Sequence, residues 1–291
     1  MNPTAVGILS PGDMGSAIGR VLREHGVDVF TCLEGRSELT RRWAQEAGFK
    51  DVADYDQLVK QVQLLMSVLV PAEAISVAQQ VAGSLKRTGA KLVYVDCNAV
   101  SPQTAIEIAR IVTEAGATFI DAGIIGSPPR DGANTRFYCS GPDCSALEAF
   151  REFGLTIRVV GPEVGQASGL KMVYAASTKG TTALWTELLV AAKALGLDEA
   201  LAAELPLGRS DISSRITGGI PSMPRRARRW VGEMEEIAAT FDSLGLTPLM
   251  LQGAAEIYRF VGANTLADQT SQEPNLSLDL VIDSLARQLN K

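Results

Sequence analysis

The sequence has a single histidine, His25, near the end of its first helix-like stretch. A multi-histidine metal site is therefore excluded, as is any mechanism built on a catalytic histidine, and no bound metal is expected. No run approaches the roughly 18 to 20 uninterrupted apolar residues of a membrane span. No basic segment leading into a signal-type apolar run opens the chain either. Cysteine is sparse: Cys32, Cys97, Cys139 and Cys144 lie scattered, without paired metal-ligand spacing. They read as reduced thiols of a cytoplasmic protein, with Cys139 and Cys144 neighbours by chance. Positive charge is short as well. Lys and Arg number 27 against 33 Asp and Glu, for a formal net charge of −6, which argues against a general nucleic-acid binder.

One further absence organises what is present. Residues 164–197, VGQASGLKMVYAASTKGTTALWTELLVAAKALGL, contain no proline. Their apolar residues recur at three- and four-residue spacings: Leu170, Val173, Tyr174, Ala183, Leu184, Leu188, Ala191 and Leu195. That periodicity predicts a helix, and one of about 50 Å if unbroken. Two domains sharing a connecting helix need such a rod, and 291 residues at 46% hydrophobic content leave room for two.

Ahead of it, strand and helix alternate. TAVGILS (4–10) is strand-like, PGDMGSAIGRVLREHG a turn and helix, and VDVFTC a second strand, which is how a dinucleotide-binding fold begins. The phosphate-binding fingerprint G-x-G-x-x-G stands here as Ser10, Gly12 and Gly15, with Asp13 and Met14 between the glycines. Gly12 would let the backbone approach a pyrophosphate, Gly15 would let the helix pack on the strand, and the helix N-terminus would supply N–H groups. Ser10 requires that the turn accept a side chain, and Pro11 stiffens it. After the second strand two signals conflict. Glu34 suits the ribose hydroxyls of NAD, whereas Arg36 with Ser37 suits the extra phosphate of NADP. The adjacent Arg36 and Ser37 favour NADP, with NAD left open.

Residues 62–71 and 91–101 continue the pattern as strands, each followed by a helix, and ATFIDAGIIG, TRFYCSG and LTIRVVG read as further short strands. The alternation implies a mostly parallel, doubly wound sheet, with cofactor-lining residues such as Val68 and Asn98 at the C-terminal strand ends. Beyond Leu197 strand signals stop, and helices are expected over 198–206, 223–244, 247–262 and 277–289. The expected fold is an α/β Rossmann domain over residues 1–162, joined by a long helix to an all-α domain within 163–291.

Together these motifs resemble the β-hydroxyacid dehydrogenase and 6-phosphogluconate dehydrogenase superfamily. ILSPGDMGSAIG looks like its glycine loop, and VDCNAVSPQTA (95–105) like its strand–Ser/Thr–Pro segment. DAGIIGSPP (121–129) falls at its substrate loop, and GQASGLKMVYAA (165–176) resembles the segment that carries its catalytic lysine, here Lys171. The likeness spans about residues 4–180; the remainder looks like a divergent helical domain. It implies hydride transfer to or from a nicotinamide, a small anionic substrate, and a homodimer formed through the helical domain.

Three departures accompany the likeness. The substrate-loop serine falls on Ile125, leaving Ser127 or backbone N–H groups to hold a carboxylate. The asparagine four residues after the lysine falls on Ala175, and a later Lys-Asp pair on Gly232-Glu233. A bulkier or different substrate than a small 3-hydroxyacid is then expected. Lys171 would accept the hydroxyl proton of an alcohol as hydride leaves, and return it in reverse. Thr178, seven residues on, shares its helix face and could bond substrate or its own backbone. Lys179 reads as a helix-face lysine, with a second active-site cation the alternative. In RRARRW (225–230), Arg225, Arg226 and Arg229 are either a solvated face, paired with the glutamates that follow, or the cations that meet the substrate. Two other functions stay open on the same scaffold: an imine reductase, against which Lys171 counts, and a nucleotide-binding sensor without catalysis.

Overall fold

A computed structural model of the chain describes residues 5–130, 133–208, 210–270 and 273–289. It divides into two compact units, Met1–Met172 and Val173–Lys291. The division falls inside the lysine helix, later in the chain than the 162/163 boundary expected from sequence.

In the first unit eight strands form one sheet: β1 (Ala5–Leu9), β2 (Asp28–Cys32), β3 (Lys50–Val52), β4 (Leu64–Ser67), β5 (Val93–Asp96), β6 (Thr118–Ile125), β7 (Arg136–Ser140) and β8 (Thr156–Gly161). Their order is β3-β2-β1-β4-β5-β6-β7-β8. Every neighbouring pair is parallel except β6 and β7. Six α-helices among the described residues connect them, α1 (Asp13–Glu24), α2 (Glu38–Glu46), α3 (Tyr55–Gln61), α4 (Ala74–Thr88), α5 (Pro102–Thr113) and α6 (Ser145–Glu148), and α7 (Gln166–Ala175) follows the last strand. The sequence reading passed over α2, β3 and α3, because charged residues dominate α2 and β3 is only three residues long.

The sheet is covered on both faces, so its central strands are mostly apolar, with Ser67, Asp96 and Asp121 polar exceptions. Ile8 packs with Ile18, Leu22 and Phe150 on one side, and its neighbour Leu9 with Leu58, Val77, Tyr94 and Ile108 on the other. Two glycines let α1 come close to its surroundings. A Cβ on Gly15 would stand 3.2 Å from Ile8 Cγ2, and one on Gly19 would stand 2.1 Å from the Phe49 ring.

The second unit is helical: α8 (Thr181–Ala194), α9 (Asp198–Gly208), α10 (Ser210–Gly219), α11 (Pro224–Ser243), α12 (Leu249–Gly262) and α13 (Leu278–Gln288). Four of these follow the amphipathic patterns read from sequence. The exception is α10, which falls between the helices expected over 198–206 and 223–244. The rod expected over 164–197 is also not one α-helix, since Ala176–Gly180 winds as a π-helical turn between α7 and α8. A tyrosine from α12 packs against the end of this turn. The buried Tyr258 hydroxyl donates to the Lys179 carbonyl at 2.5 Å and accepts from the Ala183 N–H. It thus occupies the i→i−4 hydrogen bond that an α-helix would form there.

Overpacking at Gly19 offers a direct check of the α1 contact. Gly19→Val is expected to cost about 1–3 kcal/mol, read as a lower urea midpoint with an unchanged slope.

Candidate functional site

The glycine loop follows β1. Ser10 has φ +54, and among the described residues no other non-glycine residue has positive φ. The left-handed conformation that the fingerprint gives to its first glycine is therefore kept here at a cost of about 1–2 kcal/mol. Pro11 closes a three-residue turn in which the Gly12 N–H donates to the Ser10 carbonyl at 2.6 Å. Gly12 then caps α1 without any side-chain hydrogen bond to the helix, so the first N–H groups of α1, at Asp13, Met14 and Gly15, lack intrahelical partners. Among the described residues, apart from its chain neighbours, nothing lies nearer than 3.9 Å to a Cβ placed on Gly12. Internal packing does not require a glycine there; the approach of an outside group would. Val68, just past β4, borders the same turn, with its Cβ 3.8 Å from the Gly15 position. The Asp13 carboxylate is ion-paired with Arg130.

At the end of β2, Ser37 is the N-cap of α2, its hydroxyl accepting from the Thr40 N–H at 3.2 Å. Arg36 is half-buried and donates to the Tyr55 hydroxyl at 3.1 Å. Arg41 donates to the Arg36 carbonyl at 3.2 Å. Glu34 is exposed.

A row of polar residues crosses the C-terminal strand ends in register: Ser67 beside Asp96, Asp96 beside Asp121, and Asp121 beside Ser140. All four are buried. Asp121 accepts from Ser140 Oγ (3.0 Å), the Gly165 and Ser168 N–H groups (2.9 and 3.1 Å) and Ser168 Oγ (2.6 Å). The last three donors sit at the start of α7, so a buried carboxylate caps that helix and complements its dipole. Ser140 Oγ also accepts from the Ala167 N–H at 3.0 Å. The same end of α7 lies directly on β6, where a Cβ on Gly123 would stand 2.9 Å from the Ala167 carbonyl and 3.0 Å from Lys171 Cβ. Lys171 is half-buried there. Its position thus follows from a carboxylate at the head of the helix and a missing side chain beneath it.

Asp96 is in a different state. One oxygen accepts from the Asn98 N–H at 2.7 Å, and the other is buried with no hydrogen-bond partner. Burial pushes its pKa up to about 7 against the Asn98 hydrogen bond; the Asp121 charge adds to the rise, and the Lys171 ammonium opposes it. Asn98 itself clamps two strand ends, donating to Ser67 Oγ at 2.9 Å and accepting from the Leu69 N–H at 2.5 Å. It is fully buried, so it shapes this loop from beneath. Neither Asp96 nor Asp121 was singled out by residue type alone. The available signal was a carboxylate inside each of two apolar strands, VYVD and FIDA, since a buried charge requires partners.

The remaining candidates divide. Ile125 is buried in β6, while Ser127 is exposed and its carbonyl accepts from Thr135 Oγ1 at 2.5 Å. In the helical unit Thr178 bonds its own backbone, at the Ala175 carbonyl 3.3 Å away. Arg225 holds the Thr270 and Glu273 carbonyls (3.4 and 2.9 Å) and Asn275. Arg229 pairs with Glu233 at 3.3 Å. Lys179 is not a solvated helix-face lysine: it pairs with the buried Glu233 and lies 5.6 Å from the centre of the Trp230 ring. The RRARRW arginines thus mostly hold the helical unit together, because carbonyls and carboxylates of neighbouring segments reach them first. A cavity of about 290 Å³ in that unit is lined by Ser177, Thr178, Thr181, Thr182, Trp185, Arg215 and the Gly218-Gly219 pair.

The glycine loop, strand order and lysine helix can now be set beside known proteins. Residues 5–153 match the NAD binding domain of 6-phosphogluconate dehydrogenase, and residues 192–261 match a domain of unknown function, DUF1932. This chain belongs to the β-hydroxyacid and 6-phosphogluconate dehydrogenase superfamily. An uncharacterised 28.5 kDa protein of Methanothermus fervidus, encoded in a 7S RNA 5′ region, is 32% identical over 261 residues, covering 88% of this chain and 98% of the relative. The solved conserved protein MTH1747, of unknown function and described as structurally similar to 3-hydroxyacid dehydrogenases, is 30% identical with a TM-score of 0.67, over 88% of this chain and 96% of its own. Mycobacterium tuberculosis 3-hydroxyisobutyrate dehydrogenase, solved with L-serine, shares the fold at TM-score 0.68 and 18% identity, over 97% and 99% of the two chains. Membership supports an NAD(P)-binding oxidoreductase with a nicotinamide cofactor.

Two measurements check the polar row. Asp121→Ala leaves four donors without their acceptor and is expected to cost about 3–5 kcal/mol by urea denaturation. Asp96 keeps a proton in the folded state up to about pH 7 that the unfolded chain releases near its ordinary 3.8. The folded state then binds more protons between those values, so this group's contribution to stability falls as pH rises through the window and levels off above it. Asp96→Asn removes that dependence. Relative to wild type, the variant should become more stable between pH 4 and pH 7, and the difference should stay flat beyond.

Proposed function

We propose that this protein is an NADP-dependent oxidoreductase that moves hydride between the nicotinamide and a hydroxy acid, or its aldehyde or keto form, with Lys171 as general acid/base. The observation that carries the reading is the seating of Lys171, whose helix is tied at its head by Asp121 and lies against Gly123. A side chain fixed this way loses little freedom when it meets a substrate oxygen.

The residues of the first unit fit the cofactor. The uncapped start of α1 offers N–H groups and a positive dipole end to a pyrophosphate. The open space over Gly12 supports close approach of that group. Arg36 and Ser37, with Arg41 beside them, supply a cation, a hydroxyl and a second cation for the phosphate that distinguishes NADP from NAD. When bound, the nicotinamide accepts or donates the hydride. Lys171 takes the hydroxyl proton onto its neutral amine during oxidation and gives it back during reduction.

Within the helical unit itself, Arg215 and four hydroxyl residues line a cavity whose chemistry suits a small anion. Arg225 and Arg229, the earlier candidates, are engaged elsewhere. A homodimer through the helical unit belongs to this reading and is supported by exposed Leu184, Leu244, Leu246, Leu249 and Met250. Cytoplasmic placement is supported by four free, buried cysteines.

A fluorescence titration of the purified protein with NADPH and with NADH tests the cofactor assignment. NADPH is expected to bind at least tenfold more tightly. Arg36→Ala should weaken NADPH by about tenfold, or roughly 1.4 kcal/mol, with little effect on NADH; equal binding of both would assign the ribose to Glu34. Once a hydroxy-acid screen finds turnover, Lys171→Ala should lower kcat by about 10²–10⁴-fold. Near-wild-type turnover in that variant would remove Lys171 from the mechanism.

A further inference from the structure

Three elements, β5, β6 and α7, bring ionisable groups to one buried region of the sheet. Asp96 ends β5 and lies in register between Ser67 on β4 and Asp121 on β6. Tyr94, two residues earlier on β5, and Cys97, the next residue, are its buried neighbours along the chain, with their protons held on by burial. From α7, Lys171 acts electrostatically on both Asp96 and Cys97. The two carboxylates are not equivalent. Asp121 is satisfied by four donors at the head of α7. Asp96 has one backbone N–H on one oxygen and nothing on the other, although that oxygen is shut away from water. A buried carboxylate with an unused oxygen must either keep its proton or stand against a positive charge. The positive group seated nearby is that of Lys171, whose Cβ lies 3.0 Å from a Cβ placed on Gly123, two residues beyond the Asp121 that neighbours Asp96 in register.

We propose that Asp96 is a positioning residue for Lys171, a buried counter-charge that sets the pH at which the lysine releases its proton. The proposal rests on the reading of Lys171 as general acid/base and adds what tunes it. With Asp96 ionised the ammonium is favoured, and the lysine is held ready to donate. With Asp96 protonated the ammonium loses that support, and the neutral amine, which must take the hydroxyl proton of an alcohol, forms at lower pH. The rise of the Asp96 pKa to about 7 puts this change in the neutral range. No proton need pass between the two groups; the coupling is electrostatic, and Asp96 never touches substrate.

The test is an NMR titration of the full-length protein with ¹³C-labelled lysine, without substrate, assigning the Lys171 Cε signal by its loss in Lys171→Arg. In wild type that signal should move twice, in a small step near pH 7 as Asp96 ionises and a larger one at higher pH as the amine deprotonates. Asp96→Asn should abolish the first step and lower the midpoint of the second by at least half a pH unit, about a threefold loss of proton affinity. Ser67→Ala, which disturbs the same buried row without changing its charge, should leave both steps in place. A single wild-type step, or the same lysine midpoint in Asp96→Asn and wild type, would overturn the proposal, and the wild-type result stands even if the variant does not fold. The readout is independent of turnover. An active Lys171→Ala enzyme would defeat the acid/base assignment with the electrostatic coupling still measurable. An uncoupled titration would defeat only the role of Asp96.

Discussion

Asp121 has no access to water, yet it accepts four hydrogen bonds, three of them from the first residues of α7. A carboxylate in that position would be costly if any of those donors were absent. Its satisfaction therefore fixes the helix start with a specificity that apolar packing alone would not give. The remaining geometry of the lysine region depends on it. Gly123 can lie under the helix because the helix comes down there, and Lys171 is held over β6 because the helix cannot slide along the strand. The Asp96 carboxylate beside it, with one oxygen left over, acquires its electrostatic neighbour from the same placement.

Local chemistry made much of this legible in the sequence. Ser10, Pro11, Gly12 and Gly15 announce a tight turn before a helix, and strand-helix alternation announces a parallel sheet. Lys171 stands out as a cation on an otherwise apolar stretch. What the sequence did not disclose depends on partners far along the chain. Asp121 meets residues 165 and 168 only after β6 and α7 come together. Arg225 reads as an exposed cation until the carbonyls of residues 270 and 273 are folded against it. Lys179 reads as a helix-face lysine until Glu233 and the Trp230 ring, both on α11, are folded against it.

The two units differ in how they use charge. The sheet unit buries two carboxylates on neighbouring strands, beneath the helix that carries Lys171. The helical unit pairs most of its arginines with carboxylates and carbonyls of its own chain. This is the use of arginine forks expected of a scaffold. Against that background Arg215, on the rim of a hydroxyl-lined cavity, is set apart.

The π-helical turn has a consequence for the order in which the molecule folds. Its end is met by a hydroxyl that arrives from α12, 79 residues downstream of the carbonyl it binds. Nothing in residues 176–180 demands the wider winding, and the threonines there serve an ordinary helix equally well through their own backbone bonds. A chain that ends at α8 lacks the Tyr258 hydroxyl, so the contact at Lys179 exists only once α12 has docked. That contact of the connecting segment is thus a tertiary property, supplied by the last third of the polypeptide.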